Sequence, residues 1–222
     1  MVEGKRFVKS AIAVKVWGDF ACFSRPEYGA ERVSYPVMTA TAARGVLEAI
    51  FWKPEFRWQI YAIDVLNPIK WFGILRNELK TRQSYNTAKT WAQSDGLGHY
   101  GATENRDQRN TLLLKDVAYI IHANVIADSG ELAAKYRDQF RRRLQKGQYF
   151  SSPYLGCREF LGDVSEIEGG EAALDLDLDL GKVLFDIEFD TRGHLVKAKY
   201  ANLALVHGRV EIPIGNGVLY AS

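Results

Sequence analysis

One short segment of this sequence contains four arginines, Arg137, Arg141, Arg142 and Arg143, and Tyr149 and Phe150 follow them after Gly147. Guanidinium groups neutralise phosphates, and neighbouring aromatic rings can stack on bases, so this residue mixture suits single-stranded RNA. A solvated helix face would carry the same residues. The cluster is therefore a candidate nucleic-acid surface, with the solvated face as the alternative.

Two further segments have features that suit phosphate binding. The turn Leu155-Gly156-Cys157-Arg158 contains a glycine, so its backbone could approach a phosphate closely. The stretch Asn77 to Asn110 is polar, shows no sustained period and is predicted to be a long loop. A loop of that length is either functional or poorly ordered, so it is a binding loop or a disordered insertion. The residues that favour binding are Lys80, Arg82, Lys89, Trp91, Arg106 and Arg109.

Little in the sequence supports a metal site or a hydrolytic catalytic triad. Asp175, Asp177 and Asp179 alternate along an extended stretch and could hold a divalent cation, but a strand edge protected by like charges explains them as well. The four histidines and two cysteines form no zinc-type pair, and no GxSxG motif accompanies them. We expect no metal and no cofactor. Two cysteines build no disulfide framework, so a reducing, cytoplasmic setting is expected.

Charge is distributed unevenly along the 222 residues. Residues 1–160 carry 24 Lys and Arg against 16 Asp and Glu, whereas residues 161–222 carry 5 against 11. A basic main body is typical of a phosphate-binding surface, although two parts that attract each other would give the same counts. The longest apolar run, Val117 to Ala127, is too short to cross a bilayer, and the N-terminus lacks an export-signal pattern.

Hydrophobic periodicity predicts the elements of the first half. Ala11 to Trp17 alternates as a strand, followed by a turn at Gly18 and Asp19. Thr39 to Trp52 has helical spacing and a threonine able to cap it. Phe56 to Leu66 is predicted to be a strand, with Ile69 to Leu75 as its hairpin partner.

The second half supplies a central strand and a second helix. Val117 to Ala127 is nearly all apolar, and Glu131 to Lys146 carries an apolar residue at every fourth position before Gly147. Together these elements predict an α+β protein with a ferredoxin-like domain at residues 1–160. Residues 161–222 are predicted to form a small β-rich domain of antiparallel sheet.

Several blocks of sequence resemble one known family, the subtype I-C members of the fifth family of CRISPR-associated (Cas) proteins. The resemblance runs from about residue 11 to residue 160. The blocks that carry it are Val16-Trp17-Gly18-Asp19-Phe20-Ala21-Cys22-Phe23, Glu31-Arg32-Val33-Ser34-Tyr35, Ala42-Ala43-Arg44-Gly45-Val46-Leu47-Glu48-Ala49-Ile50-Phe51-Trp52-Lys53-Pro54, Arg76-Asn77-Glu78 and Leu155-Gly156-Cys157-Arg158-Glu159-Phe160.

The resemblance implies a ferredoxin-like RAMP domain and an activity. Members of this family cut precursor CRISPR RNA in the repeat without metal, by ribose 2′-OH attack that leaves a 2′,3′-cyclic phosphate. The family's catalytic positions, a tyrosine before Trp-Lys-Pro and a Lys-His pair, correspond here to Phe51, Lys135 and Tyr136. Lys135 and Tyr136 are therefore the candidate catalytic residues, with Tyr35 and His122 as other candidates for the proton-transfer role.

The resemblance also implies partners. The expected ones are CRISPR repeat RNA, whose 5′ handle stays bound, and the other subunits of the subtype I-C interference complex; nonspecific DNA binding is compatible with the basic body, and no membrane is involved. A non-cleaving RNA-binding subunit of the same complex is the alternative function. The predicted RNA-binding residues are Arg44, Lys53, Arg76, Arg106, Arg109, Arg141, Arg142 and Arg158.

Overall fold

The candidate residues are carried by strands of one sheet and by helices packed on it. The computed structural model describes residues 8–29, 31–81, 84–94, 96, 98–189, 195–214 and 219–220. Its strands are β1 (Val8–Ala21), β2 (Arg32–Val33), β3 (Phe56–Val65), β4 (Lys70–Leu79), β5 (Arg106–Ala127), β6 (Asp163–Ser165), β7 (Leu178–Phe189), β8 (Leu195–Val206), β9 (Arg209–Glu211) and β10 (Leu219–Tyr220). The helices are α1 (Ala40–Ile50), α2 (Tyr85–Gln93) and α3 (Gly130–Gln145).

All ten strands belong to one hydrogen-bonded sheet. Its main path runs β10-β8-β9-β3-β5-β1-β6, while β2 and β4 also pair with β5, and β7 pairs with β8. The pairings are antiparallel except that of β2 with β5. The predicted α+β class is confirmed, and the sheet is mostly antiparallel.

Alternation along β5 separates the two faces of the sheet. Tyr119, Ile121, Ala123 and Val125 all join the core with residues of α1 and α3, because side chains two apart on a strand share a face. His122, between two of these core residues, therefore points to the opposite face. The helices and the core lie on one side of the sheet.

The two core helices begin and end where the sequence predicts. Thr39 caps α1 by accepting a hydrogen bond from the Ala42 amide at 3.3 Å, and Ser129 caps α3 through the Leu132 amide at 3.2 Å. Gly147 follows α3 with φ of 61°, the left-handed conformation that glycine adopts at no steric cost. No described helix is long and apolar enough to cross a membrane.

The predicted turn at Gly18 and Asp19 is wrong, because β1 continues to Ala21. Gly18 instead serves a close approach inside the strand. A Cβ at this position would lie 2.7 Å from Cδ1 of Leu155 and 2.9 Å from the Leu161 carbonyl oxygen. The glycine therefore allows the segment around residues 155–161 to pack against β1.

The prediction that the strand after Pro68 pairs with the strand before it is also wrong. β4 pairs with β5, from Lys70 opposite Lys115 to Leu79 opposite Arg106, and makes no pairing with β3. The predicted loop at 77–110 is replaced by the ends of β4 and β5 with α2 between them. Hydrophobic periodicity did not predict this hairpin, because its strands carry many polar residues and β4 is largely exposed.

The C-terminal strands continue the same sheet. β6 pairs with β1 around Val16 opposite Val164, and β9 joins β3 to β8. The strands before and after residue 160 therefore belong to one continuous hydrogen-bonded sheet. The division into domains at 1–160 and 161–222 stays a prediction.

Candidate functional site

An aromatic cluster forms where α1 ends, β3 begins and α3 passes over both. Phe51, Phe56 and Tyr136 make it up. The ring centroids of Phe56 and Tyr136 lie 4.9 Å apart, and those of Phe51 and Tyr136 lie 6.3 Å apart. Phe51 and Tyr136 are only 5% and 6% exposed. The fold thus brings together two of the three positions that the family resemblance singles out.

Lys135 lies beside this cluster but points away from it. Its side chain is exposed, whereas its neighbour Tyr136 is buried, as adjacent residues of a helix about 100° apart require. α3 is capped by Ser129 and regular from Gly130, so no irregular start turns the two side chains to one side. Only the outer edge of the tyrosine can share a substrate with the lysine.

The Tyr136 hydroxyl has no hydrogen-bond partner among the described residues, and it is not one of their fully buried unpaired polar atoms. Its ring packs on Phe56, and the residue as a whole is only 6% exposed. Tyr136 is therefore a packing residue whose hydroxyl is left without a protein partner.

Arg143, one of the four clustered arginines, also belongs to this site, a position that the sequence did not predict for it. Its guanidinium lies 5.8 Å from the centre of the Phe51 ring, and its Nε donates to the Ile50 carbonyl oxygen at 3.0 Å. The positive charge satisfies a carbonyl at the C-terminal end of α1. Its spacing of seven residues from Tyr136 places both on the same face of α3, and that spacing was the available sequence signal.

Two of the arginines on α3 have no ion pair with any described residue. Arg141 and Arg142 are exposed and have no acidic partner among the described residues. Arg137 differs, because it contacts the carboxylate of Asp138 at 2.7 Å. Two of the predicted RNA-binding arginines are thus exposed positive charges next to Lys146.

A second group of arginines is neutralised by carboxylates; we call it the arginine network. It consists of Arg32, Arg76, Arg109, Glu78 and Glu159, which come from β2, β4, β5 and the segment after Leu155. Arg76 bonds both Glu78 and Glu159, the latter at 3.0 Å, and its side chain is only 16% exposed. Arg109 contacts Glu78 at 3.5 Å and Asp107 at 3.4 Å, so three carboxylates face the three arginines. The network joins four chain segments rather than presenting free charge.

A cysteine pair borders the arginine network. Arg32 donates to the sulfur of Cys157 at 3.6 Å, and Cys157 donates to the backbone oxygen of Cys22 at 3.5 Å. Hydrogen bonding with the Cys22 thiol, helped by Ser24 and Arg32, lowers the pKa of Cys157 to about 6 despite burial. The same contact raises the pKa of the buried Cys22. These contacts make Cys157 the more acidic thiol of the pair.

The remaining predicted RNA-binding residues are scattered. Arg44 contacts Asp186 of β7 at 2.7 Å; burial would raise the pKa of Asp186, but Arg44 and Lys199 hold it below its ordinary value. Lys53 is exposed just after α1, and Arg106 is exposed at the start of β5. Among the described residues, no hydrogen bond or ion pair joins any of these three side chains to α3.

Arg158 lines a cavity of about 790 Å³ that opens between α1 and the segment 150–161. We call this cavity the α1 groove. Its wall contains two exposed aromatic side chains, and Glu48 contributes a carboxylate whose pKa is raised by burial. Residues that line it are Gly45, Glu48, Trp52, Phe150, Arg158 and Leu161.

The two other candidates for the proton-transfer role lie elsewhere. Tyr35 is fully buried, accepts a hydrogen bond from the Leu184 amide at 3.3 Å, and has a pKa raised by burial. His122 lies on the sheet face opposite the helices and bonds Asp64 at 2.7 Å, which also holds Arg209. Neither residue approaches Lys135.

The acidic run has local partners. Asp177 accepts from the His207 amide at 2.6 Å, Asp175 contacts the His207 ring at 3.1 Å, and Asp179 accepts from the Gly181 amide at 2.9 Å. The bond to Asp175 raises the pKa of His207. Within the described part of the chain, no three His, Cys, Asp or Glu side chains are grouped to hold a metal ion.

Comparison with known proteins identifies relatives along most of the chain. The family model described as CRISPR-associated protein (Cas_Cas5), of the Cas5d type, matches residues 11–192. A protein of Thermus thermophilus named CRISPR pre-crRNA endoribonuclease Cas5d is 48% identical over 180 residues, which are 80% of this chain and 73% of the relative. A protein of the same name from Mannheimia succiniciproducens is 37% identical over 217 residues, 91% of this chain and 94% of the relative.

A solved structure shares the fold. The crystal structure of a CRISPR-associated protein superimposes with a TM-score of 0.66 at 22% identity, covering 94% of this chain and 95% of the other. The match spans both the helix-bearing part and the C-terminal strands. Because the family model covers more than half of the sequence, the chain belongs to the Cas5d family of CRISPR-associated proteins, the fifth-family proteins of subtype I-C.

Proposed function

We propose that this chain is an endoribonuclease that cuts precursor CRISPR RNA within the repeat and stays bound to the 5′ handle as a subunit of the interference complex. The observation that carries the proposal is the position of Lys135. It is an exposed lysine beside the aromatic cluster, on the same helix as the unpaired Arg141 and Arg142. The names of the two curated relatives support the substrate.

The proposed reaction is attack of a ribose 2′-OH on the adjacent phosphate. It requires removal of one proton, delivery of another to the leaving 5′-oxygen, and stabilisation of charge on the phosphate oxygens. The ammonium of Lys135 is compact and mobile, which suits it to the non-bridging oxygens without a metal. The products would be a 2′,3′-cyclic phosphate and a 5′-OH.

Tyr136 is the proposed proton carrier. Its hydroxyl has no hydrogen-bond partner among the described residues, and Tyr136 follows Lys135 directly on α3. Tyr35 is buried with its hydroxyl hydrogen-bonded, and His122 faces the other side of the sheet, so neither reaches a substrate held on α3. The geometry thus favours Tyr136 over both alternatives.

The proposal includes the fold type that the resemblance implies. The elements β1, α1, β3, β5, α3 and β6 follow the βαββαβ order, and the strands lie in the order β6-β1-β5-β3 with antiparallel neighbours. These are the order and direction of a ferredoxin-like sheet. The later strands would then form the smaller C-terminal part.

Labelled repeat RNA incubated with protein in EDTA tests the activity. Lys135→Ala should slow single-turnover cleavage by about two orders of magnitude, the scale of losing one charge-stabilising donor, with little change in RNA affinity. Lys70→Ala, an exposed lysine on β4, serves as the control and should cleave at the parent rate. An unchanged rate in Lys135→Ala would remove the lysine from the mechanism.

Tyr136→Phe separates chemistry from packing. The variant keeps the ring against Phe56 and deletes only the hydroxyl, so a proton carrier predicts loss of rate with unchanged stability. Cleavage at the parent rate would make Tyr136 a packing residue. RNA that stays bound but is never cut by the parent protein would instead favour a non-cleaving subunit, which Phe51 supports because a phenyl ring cannot exchange a proton.

A further inference from the structure

The floor of the α1 groove is formed by small residues on one face of a helix. Gly45 and Ala49 lie four residues apart on α1 and therefore share a face, Glu48 lies beside Ala49, and Trp52 follows the end of the helix. The small pair leaves depth between Trp52 and the segment 150–161. The groove therefore exists because two successive turns of α1 carry almost no side chain there.

Gly45 is unexpected in the interior of a helix. Glycine is among the poorest helix formers, and here its φ is not positive, so the backbone does not require it. A Cβ added at this position would meet no atom within 4 Å, so no packing neighbour requires it either. The lack of a side chain at Gly45 therefore leaves open space above the floor of the groove.

The opposite wall is held in place by hydrogen bonds. The amides of Phe150 and Ser151 both donate to the Ala49 carbonyl oxygen, at 2.8 and 3.0 Å. Farther along, the Gly162 amide donates to the Pro153 carbonyl oxygen at 3.0 Å. These bonds tie the wall to the end of α1, so the groove is formed before any ligand arrives.

The groove lining combines stacking surfaces with polar groups. Trp52 is 55% exposed and Phe150 is 85% exposed, which leaves both rings with unused apolar area. Arg158 adds a cation that has no acidic partner among the described residues. Glu48 adds a carboxylate that can accept hydrogen bonds from an amino group.

This set of groups fits a nucleobase better than a bare phosphate or an apolar chain. Aromatic faces stack on bases of any sequence, an arginine neutralises the attached phosphate, and a carboxylate would repel a phosphate but can bond a base edge. The chain also runs without a break from the exposed arginines of α3, through Gly147, to Phe150. RNA lying along α3 would have this groove next to it.

We propose that the α1 groove binds one unpaired nucleobase of the RNA, stacked on Trp52 or Phe150. This inference rests on the proposed function, because it takes RNA on α3 as given. It assigns to the groove a positioning role: one base held there fixes the register of the strand that passes the candidate catalytic residues.

Fluorescence of 2-aminopurine, placed at each single-stranded position of the repeat RNA in turn, tests the inference. Stacking in the groove should quench the fluorescence at one position when the protein binds. Trp52→Ala combined with Phe150→Ala should abolish that quenching and weaken RNA binding about tenfold, the scale of one base–aromatic stack. Trp71→Ala, a similarly exposed tryptophan on β4, should leave both measurements at the parent values.

Gly45→Leu provides an independent variant that fills the groove without removing any contact. The added side chain starts in open space and strengthens the helix, so the protein should fold normally. It should abolish the same quenching, and Gly45→Ala, which adds one methyl group, should reduce it less.

The outcomes separate this inference from the proposed function. If the RNA binds but no position is quenched, or if both variants leave the quenching unchanged, the groove does not bind a base while the proposed function stands. If the variants change only assembly with other subunits, the groove docks protein and the inference is overturned. If repeat RNA does not bind at all, the proposed function fails with it.

Discussion

Two arginine-rich regions of the molecule look alike in sequence and differ in structure. On α3, Arg141 and Arg142 are exposed and lack acidic partners among the described residues. In the arginine network, Arg76 and Arg109 contact Glu78, and Arg76 also contacts Glu159. Both regions were predicted to bind RNA. Only the region whose arginines are not paired with carboxylates has positive charge available for phosphate.

The difference is one of chain topology. Glu159 lies 83 residues from Arg76 along the chain and reaches it because the segment after Leu155 folds back onto β1. On the outer face of α3, no acidic side chain of the described residues pairs with Arg141 or Arg142. An arginine count along the sequence therefore overestimates the binding surface wherever distant carboxylates fold back onto it.

The largest expected effect contrasts the two regions directly. Arg141→Ala combined with Arg142→Ala should weaken binding of repeat RNA by about 10- to 30-fold near 0.1 M salt, because two phosphate contacts are lost. The slope of log affinity against log salt should become shallower by about 1.4, since fewer counterions are released. Filter binding or fluorescence anisotropy over a salt series measures both quantities.

Arg76→Ala combined with Arg109→Ala is the matched control for that experiment. Because these side chains are already paired with carboxylates, the salt slope should stay close to the parent value. If the network variant lowers the slope as much as the α3 variant does, the pairing does not prevent RNA binding. The contrast between the two regions would then be wrong.

The sequence was sufficient for elements that carry one clear period. α3 was predicted because Tyr136, Phe140 and Leu144 recur every four residues, and the burial of these residues confirms it. α1 was predicted for the same reason, with Thr39 as its cap. Period alone sufficed there because one face of each helix packs on the sheet.

Elements defined by distant contacts were not predictable in this way. β4 shows no apolar alternation because it is mostly exposed, so only its register with β5 defines it. Gly18 indicated a turn, but it allows the approach of Leu155, which no local pattern reports. The same holds for Arg143, whose partners, Ile50 and Phe51, lie on another helix end.

An intermediate effect concerns stability, where the ranking of the two regions reverses. Arg76→Ala removes the less exposed of the two arginines that contact both Glu78 and Glu159, and should lower the free energy of unfolding by about 1–2 kcal/mol. Arg141→Ala removes no recorded contact and should change it by less than about 0.5 kcal/mol. Urea unfolding followed by circular dichroism compares them, and equal midpoints would show that the network adds no stability.

The smallest expected effect asks what the arginine network does besides hold segments together. Because hydrogen bonding with Cys22, together with Ser24 and Arg32, lowers the pKa of Cys157 to about 6, its thiolate predominates above that pH and is lost below it. Alkylation of Cys157 by iodoacetamide should therefore rise with a midpoint near pH 6 and level off by about pH 7, whereas an ordinary thiol keeps rising to about pH 9. The lower nucleophilicity of a stabilised thiolate limits the gain in alkylation rate at pH 7 to about fourfold over an ordinary cysteine.

Arg32→Gln removes one positive charge and should move the midpoint upward, while Cys22, buried with a raised pKa, should stay unmodified in the folded protein. Mass spectrometry of the alkylated peptide across pH measures the midpoint, and a midpoint that Arg32→Gln leaves unchanged would show that the arginine network does not act on this thiol.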